Sequence, residues 1–192
     1  QGYRFFINKI WNAGKFVLSN IEGFDPKGMN LEPDKLGMAE KWILTRLNSA
    51  VRETRAALDE YRYNDAADVI YHFTWHIFCD WYIELSKSRL QAEGGQATRW
   101  VLHHVLKTIL ELLHPIIPFV TEEIWQCLPG KDGESIVVAA YPRERGDLTF
   151  PEEAELMDTI IEVISGVRSI RGETGIPPST MKFSLMISNQ ST

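Results

Sequence analysis

The sequence predicts an all-α fold with a short β element near the C-terminus. Five long segments carry apolar residues at intervals of three and four, which is the spacing of one face of an amphipathic helix. Glycine, proline or polar clusters bound these segments, as expected where helices end. No period of about 20 to 50 residues recurs, so a helical repeat protein is disfavoured and one packed bundle is the simpler architecture.

The first two helices are separated by a loop rich in glycine and proline. The first helix is predicted over about 3–18, and Gly14 on its apolar side permits close packing of a neighbouring helix. The second is predicted over about 37–61. Its apolar face is formed by Leu44, Leu47, Val51 and Leu58.

The third and fourth helices are predicted on either side of a glycine turn. The third begins after Asn64, a favourable N-cap residue, and extends to about Leu90. The fourth ends near Pro115, because proline lacks an amide hydrogen and its ring clashes with the preceding turn. A short helix is then predicted over 119–128.

The C-terminal part is predicted to contain one more long helix and the β element. Residues 136–138 favour a small strand, and Thr149 with Glu152 has the spacing of a capping box that opens the fifth long helix. Residues 182–187 alternate between polar and apolar and predict a further strand. We therefore expect a helical bundle over 1–142, and over 143–192 an additional helix and the start of a truncated α/β module.

Composition indicates a folded globular protein. The 192 residues are 44% hydrophobic and 24% charged. Cys79 and Cys127 each lie in an apolar stretch and are predicted to be reduced core residues. We expect a cytoplasmic protein, since neither a signal peptide nor a membrane span is recognisable. The chain begins with Gln rather than Met, which suggests a piece of something longer.

Charge is unevenly distributed along the chain. The net charge of −6 argues against an indiscriminate phosphate-binding surface. The first 21 residues, however, contain Arg4, Lys9 and Lys15 and no acid. A locally positive first helix on an acidic chain is compatible with a directed contact to RNA.

No pattern in the sequence predicts catalysis or a metal site. His72 and His76 are four residues apart, but the Glu of a zincin helix is missing, and core or surface histidines explain them more simply. Glu122 and Glu123 are adjacent and therefore about 100° apart on a helix, where they fit the dipole of a first turn better than a catalytic pair. No glycine-rich phosphate loop is present.

Three of the tryptophans can be assigned from their surroundings. Trp81 and Trp125 follow apolar faces and are predicted to be core residues. Trp42 lies beside Lys41 and near Arg46, where an aromatic ring can stack on an unpaired base while the cations meet phosphates.

Four segments together resemble one family. NKIWNAGKFVL at 8–18 resembles the NKLWNASRFVL helix of valyl-tRNA synthetases, and KWILTRL at 41–47 is similar to their DRWILSRL segment. FCDWYIELSK at 78–87 resembles FCDWYIELxK, and LHPIIPFVTEEIW at 113–125 resembles LHPIMPFITEEIW. The chain is thus similar to the C-terminal anticodon-binding bundle of a class Ia synthetase, with the valine branch fitting best.

The resemblance implies a domain that recognises the anticodon stem-loop of tRNA(Val) for the full-length ligase. It implies a monomer without membrane contact, whose partners are tRNA(Val) and the remainder of the synthetase chain. ATP and Mg would belong to the missing catalytic domain, because the HIGH and KMSKS motifs are absent here. We expect no cofactor in this chain and no activity of it alone. The implied tRNA-binding residues are Arg4, Asn8, Lys9, Asn12, Lys15, Phe16, Lys41, Trp42 and Arg46.

Several alternatives remain open at this point. Asn8 and Asn12 share a helix face and either hydrogen-bond bases or tie the helix to its neighbours. Lys15 stands where the family usually has Arg, which keeps the charge but gives up bidentate recognition. Arg168 and Arg171 contact the tRNA stem, the rest of the enzyme, or local acids.

Other functions are also compatible with a helical bundle. The chain could be a protein-interaction module that does not bind RNA, the equivalent domain of an isoleucyl-tRNA synthetase, or a bundle whose histidines hold a metal or cofactor.

Overall fold

The computed structural model describes residues 2–29, 31–92, 95–131 and 133–175. These residues form seven α-helices, and the first and last are long. A π-helical segment, Phe73–Tyr82, lies between the third and fourth helices. The α-helices are α1 Gly2–Asn20, α2 Met38–Asp59, α3 Tyr63–His72, α4 Ile83–Leu90, α5 Gly95–Leu113, α6 Pro118–Gln126 and α7 Pro151–Thr174.

The predicted all-α class is confirmed, and the helices lie close to their predicted positions. The sequence predicts the third helix as a single element. The structure instead has three segments in unbroken succession, which are α3, the π segment and α4. This helix begins at Tyr63 with Arg62 as its N-cap residue, two residues earlier than an Asn64 cap requires. Periodicity locates a helix well but does not reveal a change in its winding.

The strand predicted over 136–138 is wrong. Ile136–Val138 is a single 3₁₀ turn, and no β-strand occurs among the described residues. The Ser135 hydroxyl accepts a hydrogen bond from the Val137 amide, and the Glu122 carboxylate accepts from the Ile136 amide. Since side chains satisfy these amides locally, no partner strand is needed. The second predicted strand, 182–187, lies outside the described residues.

Two of the helix-terminus predictions also need correction. Helix α7 begins at Pro151, and the Thr149 hydroxyl, two residues earlier, accepts a hydrogen bond from the Asn48 amide at 3.0 Å instead of forming a capping box. Glu122 lies in the second turn of α6, where its carboxylate also accepts from the Ser135 hydroxyl at 3.0 Å. These hydrogen bonds give Glu122 a structural role in fixing the 135–136 loop.

Helix α5 is the centre of the bundle. It packs against α1, α2, α4 and α6, and it is buried over most of its length. Gly14 of α1 allows close approach to α6, because a Cβ at this position would lie 3.0 Å from Ile124 Cγ2. The prediction of close packing at Gly14 is confirmed.

A buried ion pair joins the start of α2 to α4 and α5. Glu40 is 0% exposed, and its Oε1 accepts hydrogen bonds from Arg89 Nε at 3.2 Å and from the Thr98 hydroxyl at 2.8 Å. Burial, and secondarily the charge of Glu40, raises the pKa of the Tyr82 hydroxyl well above its usual value. Gly37 makes room for the pair, since a Cβ there would lie 2.6 Å from Glu40 Oε2.

Residue contacts divide the chain into two units, one through Glu155 and one from Leu156 onward. The division lies within α7, a few residues after its start. The domain boundary predicted between 142 and 143 stays a prediction.

Replacing Glu40 tests the importance of the buried pair. Glu40→Ala is expected to lower the free energy of unfolding by about 3 kcal/mol, because it leaves the part-buried Arg89 without its carboxylate. Glu53→Ala, at an exposed position of the same helix, should change it by less than about 0.5 kcal/mol. Urea unfolding measures both, and equal losses in the two variants would contradict the assignment.

Candidate nucleic-acid interface

One face of α1 is built to be buried and the opposite face is left exposed. Phe6, Ile10, Ala13 and Val17 pack into the bundle at helical spacing. The outer face exposes five polar side chains, and α1 contains no Asp or Glu. Four of the residues predicted to contact RNA therefore share one acid-free surface. They are Arg4, Asn8, Asn12 and Lys15.

The two asparagines do not tie α1 to its neighbours. Asn8 and Asn12 are both exposed, and within the described residues neither side chain hydrogen-bonds to another helix. Of the two roles that the sequence leaves open, the exposed amides fit contact with a ligand.

The flank of α1 that faces the π segment carries Lys9 in a double contact. Lys9 Nζ donates to Asp80 Oδ1 at 2.5 Å and lies 4.2 Å from the centre of the Trp75 ring. His76 Nδ1 lies 3.3 Å from the other oxygen of Asp80. Lys9 is thus already paired with a carboxylate, unlike a lysine that projects into solvent alone.

The π winding explains how one lysine reaches both partners. Trp75 and Asp80 are five residues apart, which in an α-helix places side chains about 140° from each other. In a π-helix the hydrogen bonds run from i to i+5, so residues five apart lie much closer to one face than they do in an α-helix. The π segment therefore presents the Trp75 ring and the Asp80 carboxylate together to α1.

Phe16 and Lys15 occupy the C-terminal half of the same helix. Phe16 is half-buried, and Lys87 Nζ of α4 lies 6.0 Å from the centre of its ring. Lys87 is also paired with Glu84 at 2.6 Å. Lys15 is exposed, and its Nζ lies 5.9 Å from the centre of the Trp11 ring, which is 38% exposed.

Sequence reasoning missed three aromatic rings that meet beside Lys9. The ring centres of Phe6 and Tyr71 are 4.9 Å apart, those of Tyr71 and Trp75 5.6 Å, and those of Phe6 and Trp75 6.2 Å. Phe6 is buried, whereas Tyr71 is 40% exposed. The spacing of four between Tyr71 and Trp75 is a signal in the sequence, but it does not reveal that α1 packs beside them.

The three residues predicted on α2 do not join this surface. Lys41 is ion-paired with Glu153 at 2.7 Å, and the resulting hydrogen bond lowers the pKa of that carboxyl. Arg46 is half-buried and lines a groove of about 390 Å³ between α2 and the α3–π stretch. Helix α2 packs mainly on α3, α5 and the π segment.

Trp42 is a core residue, which contradicts its predicted stacking role. Its side chain is 2% exposed. Base stacking requires an accessible ring face, and burial of the indole against the bundle leaves none. Of the two tryptophans predicted for the core, Trp125 is 0% exposed, and Trp81 is half-buried.

The two cysteines lie in different environments. Burial raises the pKa of the Cys79 thiol to about 12, so this thiol is not a reactive thiolate. Cys127 is exposed, which corrects its predicted place in the core, because it lies at the outer end of α6. Within the described part of the chain, no three His, Cys, Asp or Glu side chains converge as a metal site requires.

The helices are also unsuited to a bilayer. Among those that the structure describes, none combines the length and the apolar character needed to cross a membrane.

Comparison with known proteins identifies relatives of the chain. It is 52% identical to the valine–tRNA ligase of Geobacter sulfurreducens over 182 residues, which cover 93% of this chain and 20% of that protein. It is also 52% identical to the valine–tRNA ligase of Syntrophotalea carbinolica over 184 residues, covering 92% and 20% respectively. The chain thus spans about a fifth of the length of these relatives.

The fold also has a relative among solved structures. It matches the LeuRS of Agrobacterium radiobacter K84, solved as a ternary complex with tRNA and LeuAMS, with a TM-score of 0.57 and 20% sequence identity. The match covers 78% of this chain and 17% of that one, and it shows a shared helical fold.

A family model accounts for most of the sequence. Residues 40–186 match the model of the anticodon-binding domain of tRNA ligase. Together with the identity of about half of all aligned residues to valine–tRNA ligases, this match shows that the chain belongs to the anticodon-binding domain family of tRNA ligases, in its valyl-tRNA synthetase-like branch.

Proposed function

We propose that this chain binds the anticodon arm of tRNA(Val) through the outer face of α1, and does so as one domain of a full-length valine–tRNA ligase. The observation that supports this most is the acid-free, exposed face of α1 on a chain whose net charge is −6. An acidic protein repels RNA over most of its surface, so a locally basic helix selects where RNA approaches.

The polar residues of this face suit two different tasks. Arg4 and Lys15 lie almost in line along α1 and are proposed to contact phosphates, which position an RNA without reading it. Asn8 and Asn12 lie between them and carry amides that both donate and accept hydrogen bonds. These amides are proposed to read base edges, which are accessible in an unstacked anticodon loop.

Lys9 and Phe16 are proposed to act from the flank of the same helix. Asp80 already accepts a hydrogen bond from Lys9, so an approaching phosphate has to share this ammonium with the carboxylate. The half-buried Phe16 presents a ring edge beside Lys87, where a base can pack. Lys41 and Arg46 are at most peripheral to this interface, because Lys41 is tied to the start of α7.

The remaining activities are assigned to the rest of the parent protein. We propose that ATP and Mg²⁺ bind in the catalytic part, which would perform the ligation of valine, and that the present chain needs no cofactor. The parent is proposed to work as a monomer in the cytoplasm.

A second candidate function is docking of another protein surface, and exposed apolar residues favour it. Phe119 at the start of α6 is 91% exposed, and Ile116 just before it is 49% exposed. These two side chains are not part of α1, and exposed apolar side chains of this kind are found at protein interfaces. RNA binding remains the better-supported proposal, since apolar side chains do not account for the exposed cations and amides of α1.

Removing the charge of Lys15 tests the phosphate contact. Lys15→Ala is expected to weaken binding of a tRNA(Val) anticodon hairpin several-fold and to lower the slope of log K against log salt by about 0.7 to 1. Lys35→Ala removes an exposed lysine outside α1, which is paired with Glu32, and should leave both quantities unchanged. Fluorescence anisotropy at several salt concentrations measures them, and identical slopes for all three proteins would rule out the contact.

Removing the amides tests base reading. Asn8→Ala and Asn12→Ala, singly and together, should reduce the preference for the valine anticodon over a hairpin with changed anticodon bases by about 1–3 kcal/mol for each lost bidentate contact. Asn64→Ala, at an exposed position of α3, is the matched control. Competition binding with both hairpins gives the preference directly. A preference that survives the double variant would move base reading away from α1.

The absence of catalytic motifs leads to a third expectation. The chain alone should form no valyl-tRNA when supplied with valine, ATP, Mg²⁺ and tRNA(Val), whereas a full-length valine–tRNA ligase should do so under the same conditions. Incorporation of labelled valine into tRNA measures the product. Turnover by the purified chain would contradict the assignment of ligation to the rest of the protein.

A further inference from the structure

We propose that Tyr71, which is 40% exposed and packs against Phe6 and Trp75, is a stacking site for one unpaired base of the bound RNA. This inference rests on the proposed RNA-binding function and extends the interface from α1 to the junction of α3 and the π segment. The three rings of Phe6, Tyr71 and Trp75, with the ammonium of Lys9, are called the aromatic cluster below.

The three rings form a triangle in which Tyr71 is the nearest neighbour of both other rings. Phe6 is 8% exposed and anchors the cluster in the bundle. Trp75 is half-buried and lies roughly parallel to Phe6, with an interplanar angle of 14°. Tyr71 is tilted by 27° from Trp75 and is 40% exposed. Packing of α1 against the π segment therefore leaves the Tyr71 side chain partly uncovered.

The cluster is held rigidly before any ligand arrives. Lys9 Nζ lies 4.2 Å from the centre of the Trp75 ring and is fixed by its ion pair with Asp80. The His76 ring also lies near Tyr71, with ring centres 6.1 Å apart, and His76 Nδ1 is directed to the Asp80 carboxylate. A stacking surface whose rings are already ordered loses little conformational entropy when a base binds.

The position of the cluster matches the proposed RNA path. Phe5, 64% exposed, and Lys9 are four residues apart and lie on the flank of α1 that faces the π segment. RNA phosphates that meet Arg4 on the outer face would bring neighbouring nucleotides past this flank. An unpaired base turned toward the bundle there meets Tyr71.

Chemistry favours a nucleobase over an apolar side chain at this place. His76 borders the exposed Tyr71 ring, and Lys9 lies over the neighbouring Trp75 ring. A cation beside an aromatic surface suits a ligand that carries both a π face and a nearby phosphate. An apolar protein partner would have to desolvate Lys9, His76 and Asp80 in order to cover the same ring. The surface thus fits a nucleotide.

Stacking on Tyr71 would contribute affinity without selecting a sequence, because every base offers a π face. The aromatic cluster is then a complement to the amides of Asn8 and Asn12, which read base edges. Its loss should weaken all hairpins alike, and it should not change the salt dependence, since no phosphate contact is removed.

Three variants separate stacking from packing. Tyr71→Leu removes the ring and keeps an apolar side chain, Tyr71→Phe keeps the ring, and Tyr63→Leu removes a 62%-exposed tyrosine outside the cluster. We expect Tyr71→Leu to weaken binding of cognate and anticodon-changed hairpins by about tenfold each, with an unchanged salt slope, and the other two variants to bind like the wild type. Thermal unfolding of each variant checks that the fold is intact.

A spectroscopic readout on the wild type and the two Tyr71 variants complements the affinity measurements. Hairpins with 2-aminopurine at each anticodon-loop position in turn should show quenching at one position on binding the wild type and Tyr71→Phe, and this quenching should be lost with Tyr71→Leu. Quenching at no position, or quenching and affinity unaffected by Tyr71→Leu, overturns the stacking site. Suppose that these results overturn stacking but that the wild type binds the hairpin and Lys15→Ala weakens this binding; then only the stacking site has failed. If the wild type binds no hairpin, the proposed function fails as well.

Discussion

The buried carboxylate of Glu40 is the interaction on which the arrangement of the interface depends. It joins the start of α2 to Arg89 of α4 and to Thr98 of α5. Since α4 continues directly from the π segment, anchoring Arg89 also fixes the C-terminal end of the helix that carries Trp75 and Asp80. A buried carboxylate without partners would be strongly destabilising, so its partners specify how these helices meet.

The π segment then determines how α1 packs against the helix that contains Trp75 and Asp80. Its winding brings Trp75 and Asp80 closer to one face than an α-helix would, so Lys9 contacts a ring and a carboxylate at once. The result is an unequal distribution of positive charge along α1. The Lys9 ammonium is compensated locally, whereas the cations of the outer face project into solvent over a helix without acids. Structure thus separates residues that fix α1 from residues that are exposed to a ligand.

Family membership and local geometry support different parts of the functional argument. The match to the anticodon-binding domain of tRNA ligase covers most of the chain and establishes the kind of domain. It does not identify the contact residues, and the chain spans only 20% of its valine–tRNA ligase relatives. Side-chain environment is what distinguishes candidate contact residues within the domain. Several polar side chains of α1 are exposed, whereas Lys9 and Lys41 are paired with Asp80 and Glu153.

The sequence by itself determined the helical class, the approximate limits of the helices, the family and the acid-free character of α1, because periodicity, composition and motifs are local properties. Only the tertiary structure decided the fate of Trp42 and Tyr71. Trp42 lies in the core, while its neighbour Lys41 is paired with Glu153, which is distant in sequence. Tyr71 gains its ring partner Phe6 from a helix that is also distant in sequence. Periodicity shows that a helix has two faces, but contacts between distant segments decide which aromatic ring is covered and which is left exposed.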